Sequence, residues 1–402
     1  MFGVAGLGGY AGTITDRLLG DARLPSPRLR IVATCDPAPQ QFGERVTSLE
    51  AKGVRVFNTY DALLARSDVE AVWLPLPIDL HRPFTEQALA AGKHVVCEKP
   101  AAGSVDDVDA MIAARDRSGR ACVIGFQDAY QPAVRELKRK LVAGELGRVR
   151  RASVLGCWPR GLNYFARNTW AGRLKRGDTW VLDSPANNAM AHFIHIALFL
   201  LGQTEPTAAT PDAVEAELYR ANDIENYDTC TIRATLPGAI PLLVAMTHAS
   251  ATTVDPEVTI VTDRTTVVFR NPTEVRYGTG ADAKSVPLDH GQPWVVSDAI
   301  ARYLRGDVAA PLSTLEMARA HTVLVNAASQ ATPVRAIPPA HVRRTEPGPD
   351  GTVVVDGLER VLRDCADRGV LLHEGGQVPW AAPGGRLDSR GYRHFAGPAR
   401  ET

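Results

Sequence analysis

The segment Gly6-Leu7-Gly8-Gly9-Tyr10-Ala11 constrains this chain more than any other. It is a G-x-G-x-x-A turn, directly after the apolar run Phe2–Gly6 and directly before a helical stretch. Gly6 permits the tight turn, Gly8 lets the backbone approach a pyrophosphate, and Ala11 is small enough for the helix to pack close to the strand. The helix N-terminus then offers free N–H groups to an anion. Strand, glycine turn and helix in this order open a dinucleotide-binding βαβ unit.

An acid at the end of the second strand is the second half of that fingerprint. Asp36, closing Ile31-Val32-Ala33-Thr34-Cys35-Asp36, fits the position. A carboxylate there accepts hydrogen bonds from the adenosine ribose hydroxyls and repels a 2′-phosphate, which favours NAD over NADP. Asp36-Pro37 is also a turn signal, so a capping role is the alternative. Gly6, Leu7, Gly8, Gly9, Tyr10 and Asp36 are therefore the candidate cofactor residues of the first segment.

The rest of residues 1–125 repeats the rhythm. Strand candidates are Leu29–Cys35, Ala71–Pro75, His94–Cys97 and Ala121–Gly125, separated by helical patterns at Asp61–Ala65, Arg82–Ala91 and Val105–Ser118. Alternating strands and helices give an α/β Rossmann domain with a doubly wound parallel sheet. Past residue 126 the pattern changes to a helix at Pro132–Ala143, a strand at Arg148–Cys157, a loop-rich stretch and a long apolar helix at Ala186–Leu201. Five further strands between Val214 and Arg270, then helices at Ser297–Arg305 and Thr314–Ser329, make residues 126–335 an α+β domain with a mostly antiparallel open sheet. The tail, 336–402, is rich in Pro, Gly and Arg and holds one amphipathic helix, Val355–Arg368.

Charge excludes several partners. Lysine plus arginine equals aspartate plus glutamate at 45 each, which gives no reason for nucleic acid or an anionic membrane. No apolar run approaches the roughly 20 residues that span a bilayer. The first residues read as a core strand rather than as a basic leader, so a cytoplasmic protein is expected. The six cysteines form no C-x-x-C pair, which reads as buried, reduced thiols.

Three more segments carry a family resemblance: Pro77-Ile78-Asp79-Leu80-His81, Ala91-Gly92-Lys93-His94-Val95-Val96-Cys97-Glu98-Lys99-Pro100, and Gly144-Glu145-Leu146-Gly147-Arg148-Val149. With the glycine turn they resemble the Gfo/Idh/MocA oxidoreductases, the group of glucose–fructose oxidoreductase and inositol dehydrogenase. The resemblance is close over 1–150 and looser to about 335. It implies a homo-oligomer formed through the second-domain sheet, NAD as cofactor, and hydride transfer at a secondary alcohol of a sugar, cyclitol or glycoside. It adds Leu76, Pro77, His81, Glu98 and Lys99 to the cofactor residues and makes Lys99 the catalytic lysine. Beside a cationic nicotinamide, such a lysine would have a lowered pKa and would share the substrate's proton.

The resemblance also implies an aspartate followed four residues later by a histidine on the long helix. Here those positions are Asn188 and His192, and a position often held by aspartate is His195. His192 is the natural general base. Asn188 can bind a hydroxyl but supplies no negative charge. The four-residue spacing would place both on one helix face. Asn187, Asn188 and His192 sit in an apolar helix and need partners. His192 and His195 lack a third ligand, so no metal is expected, and His195 reads as a packed histidine. Trp158, Arg160, Tyr164, Asn168 and Trp170 in the preceding loop are residue types that line carbohydrate sites, and a long ordered loop is usually functional.

Three functions follow. The first is an NAD-dependent dehydrogenase or reductase of a small carbohydrate-like substrate. The second is an NAD-dependent redox glycosidase or lyase that oxidises, eliminates and reduces again. The third is a non-catalytic dinucleotide-binding protein, which Asn188 keeps open.

Overall fold

The structure, a computed structural model, describes residues 1–20, 30–270, 272–288, 292–307, 309, 310, 312–346, 348 and 351–400. Leu29, where the sequence pattern starts the second strand, lies outside the described residues, as do tail positions 347, 349, 350, 401 and 402.

The first part runs β1 (Phe2–Ala5), α1 (Gly9–Gly20), β2 (Ile31–Cys35), α2 (Gly43–Ala51), β3 (Arg55–Phe57), α3 (Tyr60–Leu64), β4 (Ala71–Leu74), α4 (Ile78–Ala90), β5 (His94–Cys97), α5 (Val105–Ser118) and β6 (Cys122–Ile124). The second part begins α6 (Pro132–Val142), β7 (Val149–Cys157), α7 (Leu162–Ala166), β8 (Lys175–Arg176), β9 (Thr179–Trp180) and α8 (Ala191–Leu200). It continues β10 (Ala213–Arg220), β11 (Thr229–Leu236), β12 (Ile240–Thr247), β13 (Val254–Thr262), β14 (Thr266–Arg270), β15 (Glu274–Tyr277) and β16 (Lys284–Pro287). Then come α9 (Gln292–Leu304), α10 (Leu315–Ala331), β17 (Val334–Ala336), β18 (Arg343–Arg344), β19 (Val353–Val354), α11 (Leu358–Arg368), α12 (Leu372–Gly375) and β20 (Gly385–Asp388).

The chain divides into two compact units, the first formed by residues 1–102, 107–131 and 291–318. Its sheet has the order β3-β2-β1-β4-β5-β6, and every pair is parallel. The strands β1, β2 and β4 are buried along their whole length, because helices cover both faces of such a sheet. The strand order reverses between β1 and β4, and ligands of doubly wound sheets bind at that switch point. The edge strand β3 has only three residues, with Arg55 exposed, so it leaves no apolar pattern to read in the sequence. The helix α9 also belongs to this unit: Val296, Ala299 and Ile300 join Phe2, Val4, Ile14 and Trp73 in one core. A boundary placed at residue 125 misses this return of the chain, because the apolar face of α9 does not announce which core it enters.

The second unit holds residues 103–106, 132–290 and 319–402, so the tail is part of it rather than a separate segment. Its sheet runs β16-β15-β14-β13-β7-β12-β11-β10-β17, antiparallel except for β7 with β12 and β10 with β17. The tail strand β20 pairs with the first half of β10, and β17 with its second half, which closes the edge against further pairing.

The tail also covers one face of this sheet. Leu358, Val361, Leu362, Cys365 and Ala366 of α11 are buried with Leu155, Cys157, Leu243 and Ala245. Ion pairs fasten it: Arg363 to Glu257 at 2.8 Å and Arg233 to Glu374 at 2.7 Å. The resemblance implies an open sheet here. Over β7 and β12 the chain's own helix occupies it, because α11 is strongly amphipathic and finds an apolar surface in reach.

All six cysteines are buried thiols. Among the described residues no helix is long and apolar enough to cross a membrane.

Candidate active site

Within the first unit the glycine turn is set by close approach. Gly6 and Gly9 have φ of +101° and +52°. A Cβ on Gly6 would lie 2.9 Å from the Cβ of Ala11, so the two positions express one constraint, the nearness of α1 to β1. A Cβ on Gly8 would meet the Phe42 ring at 2.9 Å. Gly12 N–H bonds the Gly8 carbonyl at 3.2 Å, and the N–H groups of Gly9, Tyr10 and Ala11 precede that first helical bond. They have no acceptor within the helix and mark its anion-binding end. This backbone fits a dinucleotide pyrophosphate. The Leu7 side chain is buried, while Tyr10 is 48% exposed.

Asp36 is tied to this turn. Its Oδ2 accepts the Leu7 N–H at 3.1 Å and its Oδ1 accepts the Ala38 N–H at 3.0 Å. The capping role and the ribose role are therefore compatible: two backbone donors hold the carboxylate, and each oxygen keeps a further lone pair.

His81 is buried, with Nδ1 2.8 Å from the Pro100 carbonyl and Nε2 2.8 Å from the Leu76 carbonyl. It joins the loop after β4 to the loop after β5, so its contribution is to hold Leu76 and Lys99-Pro100 in place. Burial pushes its pKa down, against the pull of those carbonyls. Pro77 starts α4. Glu98 is also buried. Its Oε1 accepts the Trp73 indole N–H at 3.0 Å, and its Oε2 accepts the Lys99 backbone N–H at 3.3 Å. Burial raises the Glu98 pKa, while Trp73 and Lys99 oppose the shift. A Cβ at Gly125 would stand 2.8 Å from Glu98, so the end of β6 must be glycine. Lys99, half-buried at the C-terminus of β5, is thus fixed from both sides.

In the second unit the expected helix Ala186–Leu201 is not continuous. Residues Pro185–Ala189 form a π-helical turn capped by Ser184, and Met190, at φ −116° and ψ 17°, separates it from α8. Met190 N–H bonds the Pro185 carbonyl, five residues back. The four-residue spacing of Asn188 and His192 therefore does not put them on one face of a regular helix. Proline at the first turn and the Ser184 cap begin the turn, and its wide winding cannot be read from apolar periodicity. From 181 to 200 every residue is buried except Asn188, Ala189 and His192. Those are the positions this segment offers to a ligand.

Asn187 is fully buried and its side-chain amide donates to the Val181 carbonyl at 2.9 Å, so it fastens the turn. Asn188 donates to Asp183 Oδ1 at 2.7 Å. Asp183 is itself buried, and its Oδ2 accepts the Gly172 N–H at 2.6 Å. His195 is fully buried, and burial, then His321 and Arg135, push its pKa far down. Among the described residues no three His, Cys, Asp or Glu side chains are grouped to hold a metal.

The loop residues gather around Tyr164. The Arg160 guanidinium lies 4.6 Å from the Tyr164 ring and 5.4 Å from Trp158. That of Arg167 lies 3.6 Å from Tyr164 and 5.4 Å from Trp170. Trp158 donates to Asp255 at 3.1 Å and meets Phe193, the neighbour of His192, edge-on at 6.2 Å. Asn168 uses its Oδ1 within the loop, accepting from Trp170 and Ala171. His248 packs 5.8 Å from Tyr164 and bonds the Trp158 carbonyl at 2.8 Å. Burial, with help from Arg160, pushes its pKa down to about 3. Asp183, Arg167 and His248 are absent from the sequence-derived site. Ser184-Pro185 signals a helix start, but nothing in the sequence signals the role of Asp183, whose partners Gly172 and Asn188 lie on either side of it in the chain.

A parallel sheet, a glycine turn braced by an acid, and a lysine fixed at a strand end define a dinucleotide-binding protein of the Rossmann class. Residues 1–126 match the model of the Gfo/Idh/MocA oxidoreductase family, NAD-binding Rossmann fold. Through these residues the chain is similar to that family's dinucleotide-binding domain. It is 40% identical over 96 residues to an uncharacterized oxidoreductase, ORF334, of Rhizobium meliloti, covering 24% of this chain and 29% of that protein. It is 27% identical over 230 residues to inositol 2-dehydrogenase of Burkholderia multivorans, covering 57% and 59%. These matches span less than two thirds of either relative. Among solved structures, the WlbA dehydrogenase of Bordetella pertussis, in complex with NADH and UDP-GlcNAcA, superposes with a TM-score of 0.65 at 22% identity. That match covers 81% of this chain and 94% of the other, and shows a shared fold.

Proposed function

We propose that this protein is an NAD-dependent oxidoreductase that moves hydride between nicotinamide and a secondary alcohol of a sugar, cyclitol or glycoside. The observation that carries the reading is Lys99, held at the C-terminus of β5 by Glu98 and His81, in the same unit as a glycine turn braced by Asp36.

The N–H groups of Gly9, Tyr10 and Ala11 would hold the pyrophosphate, and Asp36 the adenosine ribose. A fixed negative charge at Asp36 disfavours a 2′-phosphate. One relative, a D-xylose 1-dehydrogenase of Haloferax volcanii, is named for NADP, so the preference for NAD rests here on Asp36 and not on similarity. When bound, NAD supplies the hydride acceptor. Lys99 Nζ holds the substrate hydroxyl and shares its proton. In the second unit His192 is the candidate proton acceptor, and Asn188, its amide N–H given to Asp183, is with it among the few positions of its segment that are not buried.

The test is a panel of sugars and polyols with NAD, following NADH absorbance and released aglycone together. NADH formation with one class of polyol is expected. Aglycone release without net NADH would replace this reading with the redox glycosidase, and no turnover or binding of any member would overturn it.

A further inference from the structure

Residues 157–180 carry five cations, Arg160, Arg167, Arg173, Lys175 and Arg176, against one acid, Asp178. Arg173 is paired with Glu225. Among the described residues Arg160 has no ion-pair partner: its Nε is buried without a hydrogen-bond acceptor, and its guanidinium lies over the Tyr164 and Trp158 rings. Arg167, stacked on the same tyrosine, gives one N–H to the Tyr164 carbonyl and reaches Asp183 only at 3.9 Å. Asp183 already accepts from Gly172 and Asn188. The neighbouring His248, whose pKa burial and Arg160 push down, adds no third positive charge to the pair.

Two guanidinium groups thus lie over one ring, and among the described residues Asp183 is the one carboxylate paired with either. A buried N–H without an acceptor is unfavourable, and the deficit disappears when a ligand brings the acceptor. A guanidinium group over a ring face still has N–H donors to give, and its fork matches a carboxylate or phosphate.

We propose that the ligand of this second-unit site carries an oxyanion, a carboxylate or phosphate ester on its sugar or cyclitol ring, bound by Arg160 and Arg167. The proposal rests on the sugar-oxidoreductase reading for the ring, and on the arginines alone for the charge. Trp158 and Trp170 flank the two arginines, so their fluorescence reports occupancy.

The experiment titrates the NADH-loaded protein with glucose, glucuronate and glucose 6-phosphate, and with the corresponding galactose and inositol sets. Binding is read by tryptophan fluorescence and calorimetry, and oxidation is read in parallel with NAD. At least one charged member is expected to bind roughly tenfold or more tightly than its neutral parent, an advantage of about 1.4 kcal/mol. The advantage should shrink with added salt. The acid and phosphate arms tell which oxyanion is used. Arg160→Gln and Arg167→Gln should each erase most of the advantage, and Arg160→Lys should restore part of it in a folded protein. Equal binding of charged and neutral members overturns the proposal, and oxidation of the neutral sugars would then leave the oxidoreductase reading intact. Tight binding of a charged member with no oxidation of any supports the anion site and sinks that reading instead. If no member binds, both fall.

Discussion

Asn188 donates its side-chain amide to the buried carboxylate of Asp183 at 2.7 Å. The carboxyl group that the sequence lacks at position 188 is present five residues upstream. Asp183 follows Leu182, whose φ of +45° lies in the left-handed region. For a leucine that conformation costs on the order of 1 kcal/mol, and it persists only where surrounding contacts enforce it. Val181 and Leu182 both donate to the Leu174 carbonyl, and Asp183 donates to that of Arg173, so the β8–β9 segment enforces it.

The pair predicts the effect of Asn188→Asp. Two carboxylates at hydrogen-bond distance cannot both ionise, so one would have a raised pKa in the folded state. A raised folded pKa leaves stability intact below the unfolded value near 4 and removes it as pH rises through the folded value. The variant should match the parent near pH 4 and be about 1–3 kcal/mol less stable near pH 7.5. Urea midpoints at both pH values check this, and a pH-independent difference would contradict the pairing.

Lys99→Met should lower turnover on the true substrate by roughly a hundredfold or more, as loss of a proton-transfer group does, while NADH still binds. Stopped-flow hydride transfer and a fluorescence titration separate the two effects. Near-normal turnover would remove Lys99 from the chemistry.

Removal of the Asp36 carboxylate should act twice. The NAD preference over NADP, expected at roughly tenfold or more, should narrow in Asp36→Ala. The Leu7 and Ala38 N–H groups also lose their acceptor, which should lower stability by about 1–2 kcal/mol. Equal affinity of the parent protein for the two cofactors would sink the ribose role.

His192 should set the acid limb of the pH–rate profile, because the charged imidazole cannot accept a proton. His192→Ala should lose that limb and most of the rate, provided an isotope effect shows chemistry to be limiting. A limb unchanged in the variant would assign the proton elsewhere.

Acid should destabilise the fold through its buried histidines. The pKa values of His248, His195 and His81 are lowered in the folded state, that of His248 to about 3. The unfolded chain binds protons below about pH 6.5 that the folded chain refuses, so stability falls by up to about 1.4 kcal/mol per pH unit for each group. Buried Glu98, Glu217 and Asp228, with raised values, act in the opposite sense. His248→Asn isolates one contribution: its stability should fall less steeply than the parent's between pH 6 and 4. Parallel slopes would show that His248 is charged in the folded state.

The first unit was legible because its signals are local. A turn that needs glycine at Gly6 and Gly9, an acid one strand later, and apolar runs buried on both faces each follow from backbone geometry within a few residues. The sequence by itself therefore determined the doubly wound sheet and the glycine turn with Asp36 beside it. It did not determine what lies far along the chain from its partner. The return of α9 to the first core, the cover that α11 lays on the second sheet, and the approach of Asp183 to Gly172 and Asn188 depend on segments that apolar periodicity cannot pair. The break at Met190 belongs with these, since a π-turn and an α-helix share the same apolar run and differ only in the hydrogen bonds that packing selects. Periodicity states which face of an element must be buried, and only the tertiary structure decides against what.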